Sequence, residues 1–272
     1  MKLGCSTVLF NQLDLYGALQ HIAWAGYEGA ELACLGQWAR HVELITKKSY
    51  IDEIKATAKK HNLALFGIHA GFGDQPGYDR ITGMKIMFEV AEKIGIPIVT
   101  IRCGGKSDDK KSTKEEFQII REMSKAAESH GVTLAIKPHV GASVYNTATM
   151  LQMLNEIDSP ALGANLDTLH IFRAREDASE TVRKLGKKIV HVHLREYPDV
   201  PDRLHYEALA EEEIAGRGGV EFPKILKALK KIGYEGAMDL DVIGAFTFPL
   251  SRQMGITAES RGYFNRCMQE LK

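Results

Sequence analysis

The chain has no long apolar run, few cysteines and no excess of either charge, and each absence removes a class of function. No uninterrupted hydrophobic stretch in its 272 residues approaches the roughly 18 residues of a membrane span, so no membrane partner is expected. The opening segment, Met1 to Phe10, is too short and interrupted to read as a signal peptide. Cys5, Cys34, Cys103 and Cys267 are scattered and form no C-x-x-C pair, which argues for reduced, packed thiols rather than a disulfide framework. A soluble, cytoplasmic protein is the expectation. Lys plus Arg and Asp plus Glu each number 35, a balance that leaves no electrostatic footprint for nucleic acid. No phosphate fingerprint follows the first strand, and no G-x-S-x-G elbow marks a serine hydrolase.

What is present is a regular alternation of strand and helix patterns. Expected strands run from Lys2 to Ser6, Glu28 to Ala33, Asn62 to His69, Ile96 to Arg102, Val132 to Ile136, Leu162 to Asp167, Ile189 to His193 and Gly236 to Asp241. Between them lie helical patterns, the first capped by Asp14. Gly26, Gly95, Gly131 and Gly233 stand where helices stop. The spacing predicts a helix from Thr113 to His130, opened by the capping box Ser112-Thr-Lys-Glu115. Two irregular stretches, Arg195 to Gly219 and Gly244 to Gly255, precede the last two helices, the closing one from about Thr257 to Leu271. Strict β-then-α alternation implies parallel strands with crossover helices. Eight units of about 30 residues each, with no linker, fit a single-domain (β/α)8 TIM barrel spanning residues 1–272.

In that fold chemistry gathers at the carboxyl ends of the strands. The rule turns a linear list into one cluster: Glu31, His69, Arg102, Lys137, His139, Asp167, His170, His193, Arg195 and Asp241. Alone, each has an ordinary explanation as a cap or a core hydrogen-bonding group. Together, so many polar groups in one barrel mouth are costly unless paired, metal-bound or functional. Asp167, His193 and Asp241, with His139 as a fourth donor, suit Mn2+, Mg2+, Co2+ or Zn2+. Trp38, Phe72, Tyr145 and Phe246 fall in loops, where an aromatic ring can stack on a sugar or simply pack.

Asn165-Leu-Asp-Thr-Leu-His170, His191-Val-His-Leu-Arg195, Gly216-Arg-Gly-Gly-Val-Glu-Phe222 and Gly233-Tyr-Glu-Gly-Ala-Met-Asp-Leu-Asp241 resemble the xylose-isomerase-like sugar phosphate isomerase/epimerase superfamily. The resemblance covers essentially the whole chain. It implies one divalent cation held by Glu, Asp, His and Glu at the ends of strands five to eight. Here those positions hold Lys137, Asp167, His193 and Asp241, a lysine replacing the first ligand and a shorter carboxylate the last. His170 matches a substrate-contacting histidine, while Arg195 and Glu196 replace a Lys-Asp pair. Dimers are common in the family, so a homodimer is possible.

Three outcomes compete at Lys137. The cation persists on Asp167, His193, Asp241 and His139 or water, with Lys137 as acid or base. The ammonium replaces the cation. Or Lys137 forms a Schiff base with a keto sugar. The leading expectation is an isomerase or epimerase of a small sugar derivative, with Lys137, His193 and Asp241 around the reacting carbon. His69, Arg102, His170, Arg195 and Glu31 would bind the carbohydrate. A dehydratase on a keto sugar and a non-catalytic sugar-binding protein are the alternatives.

Overall fold

The computed structural model describes residues 1–36, 38–71 and 79–271, and of Phe246 the backbone alone. Phe72 and most of the turn-rich loop expected at residues 70–77 lie outside the described residues, as does the side chain of Phe246. The strands are β1 (Lys2–Ser6), β2 (Gly29–Cys34), β3 (Ala64–Ala70), β4 (Ile98–Arg102), β5 (Thr133–Lys137), β6 (Leu162–Asp167), β7 (Ile189–Leu194) and β8 (Ala237–Leu240). All pair in parallel, and β1 pairs with both β2 and β8, so the sheet closes into a barrel.

The helices α1 (Leu15–Ala25), α2 (Lys48–Lys60), α3 (Arg80–Ile94), α4 (Lys110–Ser129), α5 (Thr147–Ile157), α6 (Thr168–Arg173), α7 (Ala178–Leu185), α8 (Phe222–Lys231) and α9 (Leu250–Gln269) surround it. Local chemistry sets their ends. Asp14 accepts from the Gly17 amide at 2.7 Å to start α1, and Gly26 stops it at φ +85°, a conformation that glycine adopts without strain. The apolar face of each helix packs on the outer face of the barrel, in a core that is chiefly aliphatic. The four cysteines are buried and none forms a disulfide. No described helix is long and apolar enough to cross a membrane.

Three boundaries differ from the sequence reading. Asp109, not Ser112, caps α4: its carboxylate accepts from the Lys111 and Ser112 amides at 3.0 Å each. The Ser112 hydroxyl instead turns back to accept from Lys106 N at 2.9 Å, so no capping box forms there. The last helix begins seven residues early, at Leu250. Pro249, already at φ −64°, stands at its N-cap, where its lack of an N–H costs nothing. The buried Gln253 amide donates to Ala245 O at 3.1 Å and ties that first turn to the barrel. The short helix α6, directly after β6, was not expected; Asp167 caps it by accepting from His170 N at 3.1 Å.

Candidate active site

Strand register brings the polar residues together. Lys137 and Asp167 close β5 and β6, His193 lies on β7 beside Asp167, and Asp241 follows β8 directly. Lys137 Nζ sits 3.2 Å from Asp241 Oδ2 and 3.3 Å from Asp167 Oδ2. Arg195 reaches the same Asp167 oxygen at 3.5 Å and Glu213 at 3.0 Å. The two nitrogens of His193 face two carboxylates, Nδ1 at 3.2 Å from Asp241 Oδ2 and Nε2 at 2.9 Å from Glu31 Oε2. His69 joins from β3, its Nδ1 4.0 Å from Glu31 Oε2. These seven expected residues form one continuous network. His139 and His170 stand together beside it, ring centroids 4.2 Å apart, and Arg102 is exposed at the end of β4.

Above this network opens a cavity of about 470 Å³. Its wall includes His69, Arg102, Lys137, His139, His170 and Arg195, together with Trp38, Arg173, Tyr197, Glu207 and Glu213. Glu31, Asp167, His193 and Asp241 are fully buried and lie behind that wall. Tyr145 does not border the cavity; its hydroxyl donates to Asp108 at 3.0 Å.

Burial and charge divide the titratable groups into two sets. Burial alone would push Asp167 up, but His170, Lys137, Arg195 and His193 around it hold its carboxyl far below the usual range. Asp241 is likewise driven well below that range, because Lys137 and His193 outweigh its burial. Burial opposes a charge on His193, yet Glu31 and Asp241 on its two sides raise its pKa. The wall imidazoles go the other way. Burial, aided by nearby Lys137, lowers His69 to about 3, and burial lowers His139 to about 4. Burial also takes His170 well below its ordinary value. Neutral imidazoles both donate and accept, which suits sugar hydroxyls. Burial raises the Glu213 carboxyl despite Arg195 beside it.

One layer deeper lies a cluster of which the sequence reading named only Glu31 as a site residue. His191 Nε2 sits 3.1 Å from Asp239 Oδ2 and 3.3 Å from Glu31 Oε1, with all three side chains fully buried. Gly4 makes room for it: a Cβ there would stand 2.0 Å from Asp239 Oδ1. Burial disfavours a charged imidazole, but the adjacent carboxylates of Asp239 and Glu31 raise His191 to about 10. The signal was present in the H-x-H and D-x-D spacing, since strand residues two apart share a face. Glu207, Glu213, Arg173 and Tyr197 gave no signal, because they come from the segments after β6 and β7, where no periodicity assigns a direction. Glu196 organises the second of these: its carboxylate accepts from the amides of Tyr197 at 2.9 Å, Gly216 at 3.0 Å and Val220 at 2.9 Å.

Among the described residues, two groups could hold a metal ion: Glu31, His191 and His193, and His69, His193 and Asp241. Neither contains Asp167 or His139; His139 Nδ1 is 2.8 Å from the Val140 carbonyl. The four positions that the resemblance assigns to a cation do not fit one as they stand. Lys137 cannot ligate as an ammonium, and its Nζ lies between the two carboxylates that would.

Comparisons with known proteins agree with this fold. The chain is 23% identical over 266 residues to an inosose isomerase of Halalkalibacterium halodurans, covering 92% of this chain and 90% of that one. It is 22% identical over 241 residues to a D-psicose 3-epimerase of Enterocloster bolteae, covering 80% and 73%. Among solved structures, IolI protein with a bound zinc atom superposes with a TM-score of 0.77 at 19% identity, over 96% of each chain. A family model described as xylose isomerase-like TIM barrel matches residues 19–264. The chain belongs to the xylose isomerase-like TIM-barrel family.

Proposed function

We propose that the protein is an isomerase or epimerase of a small sugar or polyol derivative, moving a proton at the carbon next to a carbonyl. The observation that carries this reading is Lys137 Nζ, held by two buried carboxylates yet bordering a cavity large enough for a monosaccharide. A substrate carbonyl oxygen seated against Nζ accepts its hydrogen bond. The ammonium then stabilises the negative charge that develops there as the neighbouring C–H bond breaks. Glu213, a wall carboxylate with a raised pKa, is the base that takes the proton. Return of the proton by Glu213 to the former carbonyl carbon, while the neighbouring hydroxyl proton passes to the former carbonyl oxygen, gives isomerisation; epimerisation takes a second acid on the opposite face of the enediol. Asp241 acts from behind the wall by holding Lys137, and His193 holds Asp241 in turn. His69, His139, His170, Arg102 and Arg195 bind hydroxyls or an acidic group, while Glu31 steadies His193.

The test is deuterium incorporation from D2O into ketoses and inososes, followed by NMR. Exchange at the carbon beside the carbonyl is expected, and its absence across a broad panel would reject the reading. A strong enone absorbance would reassign the enzyme as a dehydratase. A divalent cation is the second reading, favoured by the grouping of His69, His193 and Asp241. It requires the Lys137 ammonium to move away from Asp241.

A further inference from the structure

We infer that the Lys137 ammonium is the resident cation of this site, supplying the positive charge that a divalent metal ion would otherwise bring. Three features lead there. Lys137 is only 2% exposed, and its Nζ meets one oxygen of each of two fully buried carboxylates, Asp167 at 3.3 Å and Asp241 at 3.2 Å. Those same oxygens already face other nitrogens, Arg195 at 3.5 Å from Asp167 and His193 at 3.2 Å from Asp241. An ion bound between the carboxylates would have to displace them all.

The donor chemistry points the same way. Asp241 Oδ2, part of the His69, His193 and Asp241 grouping, already accepts from the Lys137 ammonium at 3.2 Å, so an ion on that grouping would stand against the ammonium unless Lys137 first withdrew. An ammonium also has three protons. One is donated to Asp241 Oδ2 at 3.2 Å, Asp167 Oδ2 at 3.3 Å is an ion-pair partner, and Nζ borders the cavity where a ligand oxygen would sit. The role at the substrate oxygen rests on the proposed reaction; the metal content of the protein does not.

Purified full-length protein incubated with excess Mn2+ or Zn2+ and desalted should carry well under about 0.1 ion per chain by elemental analysis, since a site that binds a metal must first free its ligands of competing charge. Lys137→Glu reverses the charge at the centre and should raise this to about one ion per chain, falling again in Lys137→Glu/Asp241→Asn. Wild-type protein that holds one ion per chain, lost in Asp241→Asn, overturns the inference. So does a Lys137→Glu variant that circular dichroism shows folded but that gains no ion. Should Lys137→Glu fail to fold, the wild-type measurement still decides. Failure of deuterium exchange with every keto sugar would reject the reaction and leave this result standing.

Discussion

Two layers of the barrel interior are built on the same plan and used differently. In the deeper one, His191 sits between Glu31 and Asp239 at 3.3 and 3.1 Å. In the upper one, Lys137 sits between Asp167 and Asp241 at 3.3 and 3.2 Å. His193 joins them, one ring nitrogen to Glu31 and the other to Asp241. The deeper cation is fully buried, and its charge is answered by Glu31 and Asp239. The upper cation borders the cavity. A buried ion triad alone is therefore a matter of shape and orientation; it becomes chemistry when one of its protons can reach a substrate.

The sharpest way to separate the layers is at their centres. Lys137→Met should lower turnover by about 10⁴-fold, about 5.5 kcal/mol of barrier, while circular dichroism stays native. Unchanged activity would remove Lys137 from the mechanism. In the deeper layer Asp239→Ala leaves His191 with Glu31 as its remaining carboxylate and should cost about 3 kcal/mol of stability, seen as a melting temperature lower by about 8 °C. If it melts like the wild type, the triad does not hold the barrel together.

The deeper layer should also respond to alkali. Its histidine is raised from 6.5 to about 10 on folding. Its stabilising contribution is therefore complete below the unfolded value and disappears as pH rises through about 10. Thermal melts from pH 7 to 10.5 should fall more steeply for wild type than for His191→Gln, and parallel slopes would contradict this. Smaller effects belong to the wall. Glu213→Gln should slow turnover by about 10²-fold, flattening the acidic limb of the pH–rate profile. Arg102→Ala should raise KM by less than about tenfold with kcat unchanged; a fall in kcat would move Arg102 toward the reacting carbon.

The barrel was legible because its rules are short-range. Alternating strands, Asp14 and the stopping glycines each act within a turn of chain, and they hold where expected. The start of α4 was not, since Asp109 and Ser112 are both competent caps and only the path of the preceding loop chooses between them. The Leu250 start of α9 depends on Gln253 reaching the barrel, a tertiary contact without a local mark. At the site, strand-end residues such as Lys137 and Asp241 could be placed by counting in twos. Glu213 could not, because it arrives on an irregular segment 18 residues beyond Arg195 before returning to pair with it.

That segment has its own anchor. With three backbone amides gathered on the Glu196 carboxylate, the shape of the seventh loop is dictated from the strand that launches it. Anyone exchanging residues 197–220 between barrels to alter selectivity would need to move position 196 with them, or the graft would arrive without its fastening.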